Sequence, residues 1–176
     1  MKQLLTLLLV LFFSELSAQT FQQYIQSSSD DAEEKFDGSY ITTSSSDIEL
    51  VYDSWNSQGL QTIGLRFADI NIPANSVINN AYIQFTADGS YSGDVSINIK
   101  GESSNNSITF SNEDNNISSR NTTLAEVSWT LTESWNDNEA GINQRTPDLS
   151  DIVSEVLALN GWQFGNPISF ILTGNG

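Results

Sequence analysis

A two-residue rhythm constrains this chain more than any other feature of its sequence. Ile48, Leu50 and Tyr52 alternate with Asp47, Glu49, Val51 and Asp53, and Ile63, Leu65 and Phe67 alternate with Gly64 and Arg66. Ala81, Ile83 and Phe85 alternate with Tyr82, Gln84 and Thr86; Val95, Ile97 and Ile99 alternate with Ser96, Asn98 and Lys100. Ile108 with Phe110, Val127 with Trp129 and Leu131, and Ile168 with Phe170 and Leu172 extend the pattern. Successive side chains of a strand point to opposite faces, so this alternation predicts strands with one face buried and one wet. Turn clusters such as Pro73-Ala74-Asn75-Ser76, Asp88-Gly89 and Ser103-Ser104-Asn105-Asn106 separate them. Short strands so spaced predict an all-β fold, an antiparallel β-sandwich of the jelly-roll kind.

One segment follows a different period. Leu149, Ile152, Val153, Val156 and Leu157 recur at spacings of three and four. Thr146-Pro147 offers an N-cap and a first helical proline, Asp148 and Asp151 put negative charge on the first turn, and Asn160-Gly161 offers a stop. The spacing predicts one short amphipathic helix near the C-terminus, packed on the sheet by that stripe.

Composition removes several function classes. The chain has 176 residues, no Cys, no His and a net charge of -16. Histidine-dependent nucleophile systems, histidine-ligated zinc, thiol catalysis and disulfide frameworks are therefore excluded. Six Lys and Arg against 22 Asp and Glu argue against nucleic acid, whose phosphates are met by cations. Met1-Lys2-Gln3, the apolar run Leu4 to Phe13 and the small residue Ala18 read as a secretory signal peptide over 1–18. That run is too short to span a bilayer, so the reading is an exported protein, secreted or at the cell surface, without membrane insertion. Residues 19–34 form a polar and acidic leader entering the first strand, and 35–176 form one β-sandwich domain.

Several motifs, in their order, give the chain a resemblance. Gln61-Thr-Ile-Gly-Leu-Arg-Phe67, Ile72-Pro73 and Ile78-Asn-Asn-Ala-Tyr-Ile-Gln-Phe-Thr-Ala-Asp88 are followed by Ile99-Lys-Gly-Glu102, Ile117-Ser-Ser-Arg120 and Val127-Ser-Trp129. Gln144-Arg-Thr-Pro-Asp-Leu149, Gly161-Trp162, Gly165-Asn166 and Ile168-Ser-Phe-Ile-Leu-Thr-Gly174 complete the series. Together they resemble the DNRLRE-type domain of secreted bacterial and archaeal surface proteins, over roughly residues 28–176. The resemblance implies a jelly-roll sandwich similar to non-catalytic carbohydrate-binding modules, one branch of which recognises alginate, often joined to a larger multidomain surface protein. It also implies a further strand beyond Thr173-Gly174, so the final strand is expected to be missing here and an edge to stand open.

Two constellations could carry chemistry. Asp30, Asp31, Glu33 and Glu34, with Asp47 and Glu49 on a neighbouring strand, cluster carboxylate oxygens of the kind that suit a hard cation, above all Ca²⁺ in a structural role. The resemblance implies Asp31 and Glu33 as ligands. The other reading of this run is a solvated acidic segment that favours solubility. Trp55, Tyr91 and Trp135 stand in polar, loop-like surroundings and suit stacking on sugar rings, whereas Trp129 and Trp162 read as core. Arg66, Lys100, Arg120 and Arg145 could serve an acidic glycan or pair with carboxylates. The alternating carboxylates of Asp47, Glu49 and Asp53 are too weak a pattern to imply an enzyme. The expectation is a non-catalytic carbohydrate-binding module for a polysaccharide or cell-surface glycan, with a structural or adhesive spacer domain as the alternative.

Overall fold

A computed structural model describes residues 18–54 and 58–175. The signal segment up to residue 17 and Trp55 lie outside the described residues. The strands are β1 (Asp31–Lys35), β2 (Ile41–Thr42), β3 (Tyr52–Asp53), β4 (Gly59–Phe67), β5 (Val95–Glu102), β6 (Thr122–Leu131) and β7 (Ile168–Asn175). All neighbours pair antiparallel, in the order β2-β1-β4-β7-β5-β6, with β3 pairing the start of β4 off that path. The fold is all-β with a single short helix, α1 (Ser150–Leu157), as the two periods predict.

The alternation sorts residues between two cores. Ile63 and Leu65 of β4, Ile97 and Ile99 of β5, Trp129 and Leu131 of β6, and Phe170 and Leu172 of β7 face one way. They meet the helix stripe Leu149, Ile152, Val153, Val156 and Leu157, all buried. On the opposite face Ala32, Ile41, Phe110, Ile117 and Ile171 make a smaller core. The intervening residue of β4, Gly64, lets the tip of the Phe110 ring press against the sheet, where a Cβ would stand 2.5 Å from Cζ. Strand β7 serves both cores, and its unbroken Ile168 to Leu172 run is buried throughout.

A second layer covers the larger core through an irregular ribbon. The 81–91 segment runs antiparallel to 135–149: Leu149 N donates to Ala81 O at 2.7 Å, Phe85 N to Gln144 O at 2.9 Å and Tyr91 N to Trp135 O at 3.0 Å. Only isolated bridges form there, Gln84 with Arg145 and Tyr91 with Trp135, so the strand expected at 81–85 is extended chain rather than regular strand. Ile108–Phe110 and all of 47–51 likewise stay outside strands. The helix starts at Ser150, and Asp148 rather than Thr146 serves its first turn by accepting from Ser150 N at 2.9 Å. Asp148 also accepts from Ala81 N at 2.9 Å, joining α1 to the ribbon. Gly161 has φ of +89°, the left-handed conformation that the expected stop requires.

In the sheet order, β7 lies between β4 and β5, and the strand at the far edge is β6. Part of that edge is covered, because the Glu155 carboxylate accepts from Leu124 N and Ala125 N, each at 2.8 Å.

Candidate functional site

The acidic run of β1 splits between the two faces of the sheet. Glu34 lies opposite Thr62 and is fully buried on the smaller-core side, where it accepts from the backbone N–H of Ile117 at 2.6 Å and of Ser118 at 3.1 Å. Asp30 is buried against the Arg66 guanidinium, which also donates through Nε to Ser107 O at 3.0 Å. Both carboxylates hold the 103–121 loop and its Phe110 and Ile117 anchors on the sheet. A solvated acidic segment is therefore not what forms here: Asp30, Glu33 and Glu34 are all buried.

Glu33 takes the other face. It lies opposite Ile63 and accepts from Glu49 N at 2.9 Å. The two glutamate carboxyls are within hydrogen-bonding reach of each other. Burial first, then contact with Glu49, and then the Glu49 and Asp47 charges push the Glu33 carboxyl up to about 8. Gln61 shares this face, two residues before Ile63 on β4. Its N–H donates to Val51 O at 3.0 Å, while its buried Oε1 has no hydrogen-bond partner. The 47–51 segment crosses above, bending sharply: Val51 N donates to Glu49 O at 2.7 Å, and the buried Val51 has φ of +66°. A β-branched residue in that region is a costly outlier, held by the contacts around it. Asp31 lies half-buried opposite Leu65, its carboxyl raised chiefly by burial, with a smaller contribution from Asp30.

The six acidic candidates thus do not converge. Glu33 meets Glu49 and feels the Asp47 charge, while Asp30 and Glu34 go to separate partners. Among the described residues no group of three or more Asp and Glu is arranged to hold a metal ion.

The aromatic candidates fare differently. Tyr91 and Trp135, far apart in sequence, sit directly opposite each other: Tyr91 N donates to Trp135 O at 3.0 Å, and Trp135 N to Tyr91 O at 2.9 Å. Residues directly opposite in an antiparallel bridge present their side chains on one face. Tyr91 is 56% exposed, and half-buried Trp135 leans on Trp129, with ring centroids 6.2 Å apart at 41°. Trp129 in turn stacks on Phe85 at 5.7 Å. An aromatic column therefore rises from the core to the half-buried Trp135, with the exposed Tyr91 bridged to it through the backbone. The Tyr91 hydroxyl donates to Asp88 Oδ1 at 2.9 Å. That bond, then burial, then the charges of Asp88, Asp47 and Glu49 hold the phenol above its ordinary value, so the carboxylates of 47–49 flank this surface.

Trp129 and Trp162 are core, as expected, with Trp162 Nε1 donating to Ile72 O at 3.0 Å. Of the four cations singled out in the sequence, three pair with carboxylates: Arg66 with Asp30, Lys100 with Glu126 at 3.1 Å, and Arg120 with Glu102 at 2.9 Å. Arg145 does not; it lies over the Tyr82 ring at 4.0 Å and donates to Gln84. Sequence reasoning missed Asp88 and Gln61. Gln61 carried a usable signal, being polar while in phase with Ile63 and Leu65.

No helix among the described residues is long and apolar enough to cross a membrane. No family model, no curated protein and no solved structure matches this chain.

Proposed function

We propose that this is an exported, non-catalytic carbohydrate-binding module whose platform is the Tyr91–Trp135 pair. The single observation that carries the reading is an exposed phenol ring on a residue bridged, backbone to backbone, to a tryptophan that is itself propped from the core. A rigid aromatic with a polar edge suits the apolar face of a pyranose, and the Asp88, Asp47 and Glu49 carboxylates beside it suit hydroxyl donors. Those same charges disfavour uronic acids, so neutral glycans fit better than alginate. The test is retention on neutral and acidic polysaccharides. Tyr91→Ala, which removes an exposed ring, should weaken binding to the retained glycan by about tenfold or more. Trp135→Phe should weaken it less. Unchanged retention in both variants overturns the platform and favours the spacer reading.

We also propose calcium as a stabiliser, with a narrower ligand set than the sequence suggests. Asp30 and Glu34 are committed to Arg66 and to backbone N–H groups. The contacting Glu33 and Glu49 carboxyls and the unpartnered Gln61 Oε1 offer a hard cation three oxygens on one face. When bound, the ion would neutralise the pair and fix the 47–51 segment beside Tyr91. Calcium should raise the melting temperature of the wild type, and Gln61→Met and Glu33→Gln should each abolish most of that rise. An equal rise in both variants would assign the effect to general screening of the -16 charge.

A further inference from the structure

The sheet face opposite the Tyr91 platform is only half covered. Phe110 and Ile117 lie over its β1 and β4 side. Beyond them two shallow hollows, of about 350 and 340 Å³, share Asn98 and together form one trough across the sheet. Its floor is a polar row. Asn98 of β5 lies opposite Thr173 of β7 on one side and opposite Ser128 of β6 on the other, and Thr62 of β4 lines the same trough. Phe36, 65% exposed, forms one wall.

Three observations distinguish this trough from an ordinary wet sheet face. Asn98 Oδ1 is buried in the floor without a hydrogen-bond partner, while its Nδ2 donates to Glu126 Oε2 at 3.4 Å, so the amide keeps an acceptor that the protein leaves unmet. In a chain with 22 acidic residues, none lines either hollow, and the Glu126 carboxylate that reaches Asn98 is held by Lys100 at 3.1 Å. The two cations that line it are already neutralised, Lys100 by Glu126 and Arg120 by Glu102. What remains is hydroxyls, amides and one apolar ring, with no free charge to hold a phosphate or a uronate. The absence of free charge selects an uncharged, polyhydroxylated ligand.

We infer that this trough is a second binding site, independent of the Tyr91 platform, for a linear neutral glycan whose ring packs on Phe36 and whose hydroxyls meet Asn98, Thr173 and Ser128. The two sites lie on opposite faces, so a single molecule could hold two chains at once.

Tyr91→Ala provides the background for the test, because it silences the platform and leaves the trough intact. Backbone amide signals of this folded variant would be followed by NMR during titration with cello-, xylo-, manno- and laminarihexaose, with an alginate hexasaccharide as the charged comparison. The expected result is that a neutral hexasaccharide shifts residues 96–100, 128–130 and 173–175. Adding Phe36→Ala should then weaken that binding about tenfold. Shifts with the alginate oligomer alone, or no shifts at this face with any of the five, overturn the inference. Wild-type shifts around Tyr91 without any at the trough support the platform and sink the second site. The reverse pattern sinks the platform and keeps the trough.

Discussion

At the residue scale, Glu33 shows how position outweighs composition. Its neighbour Glu34, on the other face, accepts two backbone N–H groups. Glu33 accepts only one such group and meets a second carboxyl, with Asp47 and Asp31 also nearby and Lys35 opposite the neutral Gln61. Its proton is held up to about 8 against an ordinary 4.5, so the folded chain binds that proton more tightly than the unfolded chain. The contribution to stability is then fully present below 4.5 and is lost as pH rises through 8. In chelator, the melting temperature of the wild type should fall between pH 5 and about pH 8.5, and Glu33→Gln, which keeps the acceptor but cannot ionise, should flatten that fall. Parallel melting curves for the two proteins check it; equal slopes would mean that the pair carries no shared proton. None of this was legible in Asp30-Asp31-Ala32-Glu33-Glu34, because adjacent carboxylates look alike until the strand divides them between its faces.

At the element scale, alternation foretold the strands well where a long, regular partner strand runs alongside. Strands β4, β5, β6 and β7 carry clean patterns and become long ladders. The 47–53 segment alternates just as cleanly, yet only Tyr52–Asp53 pairs as strand. Its backbone is diverted at Val51, and Glu49 spends its N–H on a side chain. The 81–85 stretch lost its regularity for a related reason, since its partner segment includes a 3-10 turn at Ile142–Gln144. A prediction belongs at this scale. The 103–121 loop is seated by Phe110 on Gly64, so Gly64→Ala should force that ring off the sheet and cost about 1–3 kcal/mol. Urea unfolding would measure it, and Phe110→Leu in the same background should recover part of the loss. A neutral Gly64→Ala would show that the loop is not held there.

At the scale of the whole molecule, fold class and the helix could be read from periodicity, but the sites depend on contacts between distant segments. No local pattern joins Tyr91 to Trp135, or Phe36 to Thr173; the ribbon over the larger core joins the first pair and the strand order of the sheet the second. Trp55, the third aromatic candidate, stands in the connection from β3 to β4, outside the described residues. The same order has a temporal consequence. Strand β7 is synthesised after every other strand, yet it lies between β4 and β5 and contributes to both cores. Until it arrives, the β2-β1-β4 group and the β5-β6 group have no shared partner, and each exposes the edge that β7 will fill. Sequence-distant pairings of this sort fold slowly. The architecture thus withholds the decisive contact until β7 has emerged, and commits the two halves of the sheet to one another only then.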